Sequence, residues 1–391
     1  MPTQASLRQE RELLAGLGLQ PVKAWPAKCL RYWPDGSVNG NLTRMEAFPE
    51  NALDPNIRSC VLRDVNGLDI HYLESGSRSV NSRLLVLLHG FPELGYSWRK
   101  IMPKLANDGY HVIAPDQRGF GKTTGWDNRF TKDLSSYHHL NLVRDIIGLV
   151  KGLGYESAES VIGHDSGAGV AGLSALIRPD IYKSVVMMSA PFAGPPSLSF
   201  SNPIKHNLSS PTDEINSQLA KLKRPRKHYQ HYFRTREANK DMISSLEGIH
   251  LFLRGYYHHK SADWKSNEPF PLSEWTADQL AQMPTYYIMD FAEDMPSTVA
   301  KEMPSEDEIK KCMWLTEEEL SVYAQEYSRT GFQGGLNWYR ASNSSENRHT
   351  LELFSGMKID VPSLFIAGRQ DWGPFQRPGS LKTLEKYACS N

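Results

Sequence analysis

The 391-residue sequence predicts an α/β fold, in which a mostly parallel sheet is flanked by helices and carries a helical cap insertion. Three observations support this prediction. Short apolar runs alternate with amphipathic segments up to Pro191, the alternation then stops, and a strand-like run returns at Val361–Ala367. Alternating strands and helices are typical of a parallel sheet that is covered on both faces. The long segment without strands therefore indicates an insertion between two strands of one sheet.

Two strands begin the predicted sheet, and the turn dipeptide Asn66-Gly67, which is typical of hairpins, joins them. Leu84–Leu88 is continuously apolar, as expected for a strand that is buried on both faces. The predicted strands are Ile57–Val65, Leu68–Leu73, Leu84–Leu88, His111–Ala114, Ser160–Ile162, Ser184–Ser189 and Val361–Ala367. The helices predicted between them are Trp98–Leu105, Leu140–Val150 and Val170–Ile177.

The chain is predicted to divide into four segments. They are an N-terminal extension (1–56), the first part of the α/β core (57–191), the helical cap (192–355) and the second part of the core (356–391). Within the cap, Thr316 and Glu319 have the spacing of a capping box. The helix that begins there is expected to end at Gly331, because glycine commonly follows the last helical turn.

Composition excludes several classes of protein. The 44 basic and 44 acidic residues give no net charge, so nothing favours nucleic acid or an anionic membrane as a partner. The longest apolar run, Leu84–Leu88, is far shorter than the roughly 20 residues of a spanning helix. Early charges such as Arg8 and Glu10, with four scattered cysteines, indicate a cytoplasmic location. The sequence contains no recognisable cluster of metal ligands and no phosphate-binding loop, so we expect neither a metal nor an organic cofactor. The oligomeric state stays open.

One motif, Gly163-His164-Asp165-Ser166-Gly167, lies between a predicted strand and a predicted helix. This is the context of a nucleophile elbow, in which small residues flank a reactive side chain on a sharp turn. Asp165 is the favoured nucleophile, because a motif centred on Ser166 would need a small residue in place of His164. An ordinary turn with Asp165 as the N-cap of a helix is the other interpretation.

A second motif, His89-Gly90-Phe91-Pro92-Glu93, directly follows the predicted strand Leu84–Leu88. It lies at the carboxyl end of a central strand, where open α/β sheets bind ligands. The backbone N–H groups of Phe91 and Ser166 are therefore predicted to form an oxyanion hole beside Asp165.

Together with Asp116-Gln117-Arg118-Gly119-Phe120-Gly121, these motifs resemble the α/β-hydrolase fold and, within it, the epoxide hydrolases, over roughly residues 57–391. Tyr229–Phe233 and Gly331–Arg340 resemble the two tyrosine motifs of that family's cap. The resemblance implies that Tyr229 and Tyr339 donate hydrogen bonds to an epoxide oxygen. Simple packing of both rings is the alternative interpretation.

The resemblance implies hydrolysis of an epoxide to a vicinal diol through an alkyl ester of Asp165. Phenols, with a pKa of about 10, stay protonated at neutral pH and can stabilise the developing alkoxide. Asp371, just after the last predicted strand, is the candidate acid that orients a histidine base. Four aromatic residues of the cap indicate a small apolar substrate: Trp264, Trp275, Tyr286 and Tyr287.

Chains of this fold place the histidine base after the acid, yet the last of the 13 histidines here is His349. We therefore expect a truncated core without its last strand, base loop and closing helix, and an enzyme that hydrolyses the ester poorly. One alternative is a non-catalytic or defective homologue that binds a small apolar ligand. A less favoured alternative is a haloalkane dehalogenase, in which a tryptophan commonly occupies the position of Ser166.

Overall fold

The computed structural model describes residues 48–49, 52–78, 82–130, 133–198 and 211–390. Most of the predicted N-terminal extension lies outside these described residues. The strands of the described part are β1 (Ile57–Val65), β2 (Leu68–Ser75), β3 (Arg83–Leu88), β4 (Tyr110–Pro115), β5 (Ser160–His164), β6 (Val185–Met188), β7 (Arg226–His228), β8 (Ile288–Asp290) and β9 (Ser363–Ile366).

The α-helices of the described part divide between the sheet and the insertion. Those that follow strands of the large sheet are α1 (Met102–Asn107), α2 (His139–Gly152) and α3 (Ser166–Ile177). Those of the insertion are α4 (Pro211–Leu219), α5 (Tyr229–Phe233), α6 (Glu237–Ile243), α7 (Gly248–Lys260), α8 (Ala277–Leu280), α9 (Met295–Ala300), α10 (Glu306–Lys311), α11 (Glu317–Thr330), α12 (Gln333–Ser342) and α13 (Ser345–Leu351). A short helix after β9 is α14 (Ser380–Thr383).

Seven strands form one sheet in the order β1-β2-β4-β3-β5-β6-β9. β2 pairs antiparallel with β1 and β4, whereas β4, β3, β5, β6 and β9 are parallel to one another. The predicted mostly parallel sheet is therefore confirmed. In the register, Leu88 of β3 lies opposite Gly163 of β5, so the two motifs that follow these strands meet at one edge of the sheet.

Local sequence explains the start and the centre of this sheet. Asn66 and Gly67 both have positive φ, 51° and 78°, as a two-residue hairpin turn requires. The side chains of Leu84–Leu88 are at most 5% exposed, because β3 is covered by other strands and by helices on both faces. The hairpin and the buried central strand were both predicted correctly.

The prediction of one helix over Trp98–Leu105 was wrong. A 3-10 helix covers Gly95–Trp98, and α1 begins separately at Met102. Pro103 lies in the first turn of α1, where its missing N–H costs nothing, but it cannot continue a helix from the residues before it. The apolar spacing therefore spans two short elements.

The prediction that strands disappear from the cap was also wrong, because β7 and β8 pair antiparallel there. The sequence of β7, Arg226-Lys227-His228, has no alternation of apolar residues, so no pattern revealed it. The capping box is confirmed, since the Thr316 side chain accepts from Glu319 N–H. The helix α11 ends at Thr330, directly before Gly331, whose φ is 65°. The four-segment division of the chain stays a prediction.

β9 pairs with β6 and lies at one end of the sheet as far as the described residues show. Leu364 and Ile366, on one face of β9, are 53% and 43% exposed. The chain then passes through α14 and returns to the segment before β9, where Ile359 N–H donates to the carbonyl of Ala388 at 2.8 Å. None of the helices in the described ranges is long and apolar enough to cross a membrane.

Candidate active site

The turn between β5 and α3 holds Asp165 in a strained backbone conformation, with φ 52° and ψ −122°. Such positive φ is uncommon outside glycine and marks functional turns. The flanking glycines are required, since a Cβ on Gly163 would lie 2.1 Å from the carbonyl oxygen of Gly167. A Cβ on Gly167 would lie 2.5 Å from the carbonyl oxygen of His89. The turn therefore has the geometry of a nucleophile elbow centred on Asp165.

Two backbone donors converge on the Asp165 carboxylate. Its Oδ1 accepts from Ser166 N–H at 2.7 Å and from Phe91 N–H at 3.3 Å. These are the two groups that the sequence predicts for an oxyanion hole. Gly90 permits the approach, because a Cβ there would lie 2.4 Å from the Cβ of Asp165. A negative oxygen on the Asp165 carboxyl group is thereby met by preorganised donors.

Tyr229 and Tyr339 lie together, with ring centroids 6.1 Å apart. Tyr229 is the first residue of α5, directly after β7, and its N–H donates to the carbonyl of Tyr287 at 2.9 Å. Tyr339, on α12, packs edge-on against Phe91 at 5.5 Å between centroids. The cap thus carries both phenols to the Phe91 loop that also contacts Asp165.

Both phenols are held in the protonated form. Burial raises the pKa of Tyr229 above its usual range, and the charges of Tyr286 and Asp165 raise it further. Burial, Tyr229 and Asp165 likewise raise the pKa of Tyr339. The Tyr229 hydroxyl donates to Gln376 Oε1 at 3.1 Å and accepts from Gln230 Nε2 at 3.1 Å. The Tyr339 hydroxyl makes no hydrogen bond to another described residue, so it is available to a ligand.

Asp371 follows β9, as the sequence predicts for the orienting acid. Its Oδ1 accepts from Gly373 N–H at 2.7 Å, and no imidazole of the described residues is hydrogen-bonded to it. Its charge contributes to raising the pKa of Tyr287, whose ring lies 5.6 Å from that of Tyr229. Asp371 therefore acts electrostatically on one member of the tyrosine cluster, by which we mean Tyr229, Tyr256, Tyr286, Tyr287 and Tyr339.

Sequence reasoning missed an ion pair beside Asp165. His164 Nδ1 lies 3.0 Å from Glu93 Oε2, and the same oxygen accepts from Gly90 N–H at 2.8 Å. Burial alone would raise the pKa of Glu93, but His164 lowers it to about 2. Burial alone would lower the pKa of His164, but Glu93 raises it to about 9. Their positions in the sequence were the available signal, since each residue lies within one of the two motifs.

Comparison with known proteins agrees with this geometry. The family model described as the alpha/beta hydrolase fold matches residues 83–226. Epoxide hydrolase A of Mycobacterium tuberculosis (strain ATCC 25618 / H37Rv) is 32% identical over 321 residues, covering 79% of this chain and 81% of that protein. Epoxide hydrolase 3 of Siraitia grosvenorii is 31% identical over 312 residues, covering 79% of each.

Solved structures give the same result. An epoxide hydrolase from an endophytic Streptomyces superposes with a TM-score of 0.66 at 27% identity, covering 86% of each chain. The elbow at Asp165, the loop after β3 that carries Phe91, and the order of strands in the sheet define an α/β hydrolase. Within that class, this chain belongs to the epoxide hydrolase family.

Proposed function

We propose that this protein opens an epoxide by attack of the Asp165 carboxylate and releases a vicinal diol. The observation that carries the proposal is one continuous set of contacts. Phe91 N–H donates to Asp165, the Phe91 ring packs on Tyr339, and Tyr339 lies beside Tyr229. Nucleophile, oxyanion donors and two protonated phenols are thus joined through a single loop residue. The buried aromatic rings of the cap, Tyr286 and Tyr287 among them, suit a small apolar epoxide.

In the first step, a carboxylate oxygen of Asp165 forms a bond to one ring carbon while the bond from that carbon to the epoxide oxygen breaks. The oxygen leaves as an alkoxide on the neighbouring carbon. Tyr339 and Tyr229 donate hydrogen bonds to it, and one phenol transfers a proton. The product of this step is a hydroxyalkyl ester of Asp165.

In the second step, water attacks the ester carbonyl of Asp165, and the tetrahedral oxyanion is held by the N–H groups of Phe91 and Ser166. The tetrahedral intermediate then collapses: the bond from the Asp165 carbonyl carbon to the diol oxygen breaks, and the Asp165 carboxylate is restored. Of the two protons of the water, one goes to the departing diol oxygen and the other to the phenolate. This step needs a general base. Because the Asp371 carboxylate binds the Gly373 backbone and no described imidazole, we propose that ester hydrolysis is slow in the 391-residue chain.

Incubation of the full chain with styrene oxide tests both steps. Intact mass spectrometry is expected to show one covalent adduct that forms faster than diol appears. The Asp165→Asn variant is expected to show no adduct, whereas the exposed-carboxylate control Asp108→Asn forms it at the wild-type rate. Rapid release of diol without a detectable adduct would contradict slow ester hydrolysis. If neither adduct nor diol forms, the proposed function is contradicted.

We also propose a cytoplasmic location and the predicted division into core and cap. The scattered cysteines, which fit a reducing compartment, support the location. The position of Tyr229 and Tyr339 within residues 192–355 supports the cap assignment. Cell fractionation tests the first proposal, and limited proteolysis, with cleavage expected near the ends of the cap, tests the second.

A further inference from the structure

Lys260 places a cation beside the tyrosine cluster of the site. It is the last residue of α7, and its Nζ lies 4.9 Å from the ring centroid of Tyr286 and 5.7 Å from that of Tyr256. The Tyr286 ring lies 5.7 Å from that of Tyr229. One aromatic ring therefore separates this ammonium from a proposed epoxide-activating phenol.

The Lys260 ammonium has no carboxylate partner among the described residues. Burial lowers the pKa of Lys260, but Tyr287 and Asp165 raise it more, so the side chain stays charged at neutral pH. The end of a helix and two aromatic faces stabilise a cation. No hydrogen bond joins the ammonium to another described residue beside these ring contacts, so its N–H donors are available to a ligand.

The other charges around this cluster are mainly negative. Asp165 and Asp371 act on its tyrosines, while Glu93 is offset by His164. A ligand carboxylate entering here would meet repulsion from the first two groups, and Lys260 supplies the opposing charge. A second donor lies beside another tyrosine of the cluster: Trp372 Nε1 is buried without a partner among the described residues, and its ring lies 6.5 Å from that of Tyr287.

We propose that Lys260 binds a carboxylate on an otherwise apolar substrate, so that the enzyme prefers compact epoxy acids whose carboxylate is a few bonds from the epoxide ring. A lysine donates charge-assisted hydrogen bonds to such a group. One unpaired ammonium suits a single negative charge, and the short separation from Tyr229 suits a small molecule. This inference rests on the proposed function, since the epoxide must reach Asp165 and the phenols at the same time.

The test compares 3-phenylglycidate with its neutral amide, 3-phenylglycidamide, which has nearly the same size. The rate of adduct formation on the full chain is measured for both. In Lys260→Met, the acid-to-amide rate ratio is expected to fall by roughly tenfold to a hundredfold, because a hydrogen bond between charged groups is lost. Lys260→Arg is expected to retain most of the ratio. Lys265→Met, which removes a lysine with 90% of its side chain exposed, is expected to leave the ratio unchanged.

An unchanged acid-to-amide ratio in Lys260→Met would overturn the inference. If both rates fall by the same factor, that unchanged ratio means that Lys260 supports the tyrosine cluster instead of recognising charge. If the wild type reacts with neither epoxide, the proposed function fails separately. In that case, the affinity for 2,3-dihydroxy-3-phenylpropanoate, measured by calorimetry, tests the anion-binding role of Lys260 independently of the reaction. Weaker binding to Lys260→Met than to the wild type supports it, and equal binding overturns it.

Discussion

Around Asp165, burial and charge give each residue a separate task. The phenols of Tyr229 and Tyr339 stay protonated because burial and nearby negative charge raise their pKa values. The Asp165 carboxylate stays accessible on a strained turn and is met by two N–H donors. Donors and acceptor are thereby fixed before any substrate arrives, which is how preorganised sites lower a barrier.

Removing one phenol tests whether it donates a hydrogen bond to the epoxide oxygen. Tyr339→Phe is expected to slow ester formation by about 10²-fold, the usual cost of losing one donor to a developing oxyanion, while Tyr229 sustains the remainder. The measurement is the rate of adduct formation with styrene oxide by intact mass. Tyr387→Phe, at a position 67% exposed, is the matched control and should react as the wild type. An unchanged rate in Tyr339→Phe would mean that this ring only packs.

The Glu93–His164 ion pair leads to a prediction about how the stability of the fold depends on pH. The pKa of His164 is raised to about 9 and that of Glu93 is lowered to about 2. The stabilisation from His164 is complete below its unfolded pKa of about 6.5 and is lost as the pH rises through 9. The stabilisation from Glu93 is present above a pH of about 4.5, its ordinary pKa, and is lost as the pH falls through 2.

NMR titration of the His164 ring measures this directly. A pKa of about 9 is expected in the wild type. In Glu93→Gln the pKa should fall towards or below the ordinary value of about 6.5, because burial then dominates. A wild-type pKa near 6.5 would show that the ion pair does not hold in solution.

Single residues also show the limits of prediction from sequence. Asp165, Phe91 and Ser166 were identifiable because motif spacing fixes their local geometry. Glu93 and His164 are separated by 71 positions, and only the register of β3 against β5 brings them together. Lys260 belongs to no motif, and its role depends on how α7 packs against the tyrosines. Long-range packing, which local patterns do not encode, decides such contacts.

At the scale of elements, the loop after β4 joins β2 of the hairpin to the 3-10 helix that follows β3. Asp116 pairs with His71 Nδ1 at 2.7 Å and accepts from the N–H groups of Gly95 and Lys122, each at 2.9 Å. Burial alone would raise the pKa of Asp116, but His71 lowers it well below the usual range. One buried carboxylate therefore ties β2, the 3-10 helix and its own loop together.

Asp116→Ala is expected to lower the free energy of unfolding by about 3–5 kcal/mol, because His71 and two backbone donors lose their buried partner. Urea denaturation measures the change. The control is Asp180→Ala, which removes a surface partner of Arg178 and should cost about 0–1 kcal/mol. Equal losses in the two variants would show that the buried network contributes no more than a surface pair.

At the scale of the whole molecule, the cap is joined to the loop that shapes the site. Tyr257 donates to the carbonyl of Pro92 at 2.6 Å, and Tyr327 donates to that of Glu93 at 3.2 Å. The hydroxyl groups of Ser97 and Tyr323 are hydrogen-bonded at 2.9 Å. Residues within 192–355 are thus hydrogen-bonded to the loop and the 3-10 helix that follow β3. Under the proposed function, these bonds help to hold the two phenols opposite Asp165.

The alternation of strands and helices made the sheet predictable, because each element there buries one face and shows a clear period. The cap was harder to predict. Its strands β7 and β8 have three residues each, too few for a period to show, although the capping box of α11 was evident. The family resemblance therefore rested on motifs, while the meeting of cap and core required the structure.

The most direct test of the central claim is to locate the covalent intermediate. The full chain is treated with styrene oxide, quenched, digested and mapped by tandem mass spectrometry. We predict one substrate-derived mass on Asp165 and none in Asp165→Asn. A modification on another residue such as Ser166 or Glu93, or diol formed at the wild-type rate by Asp165→Asn, would contradict the account.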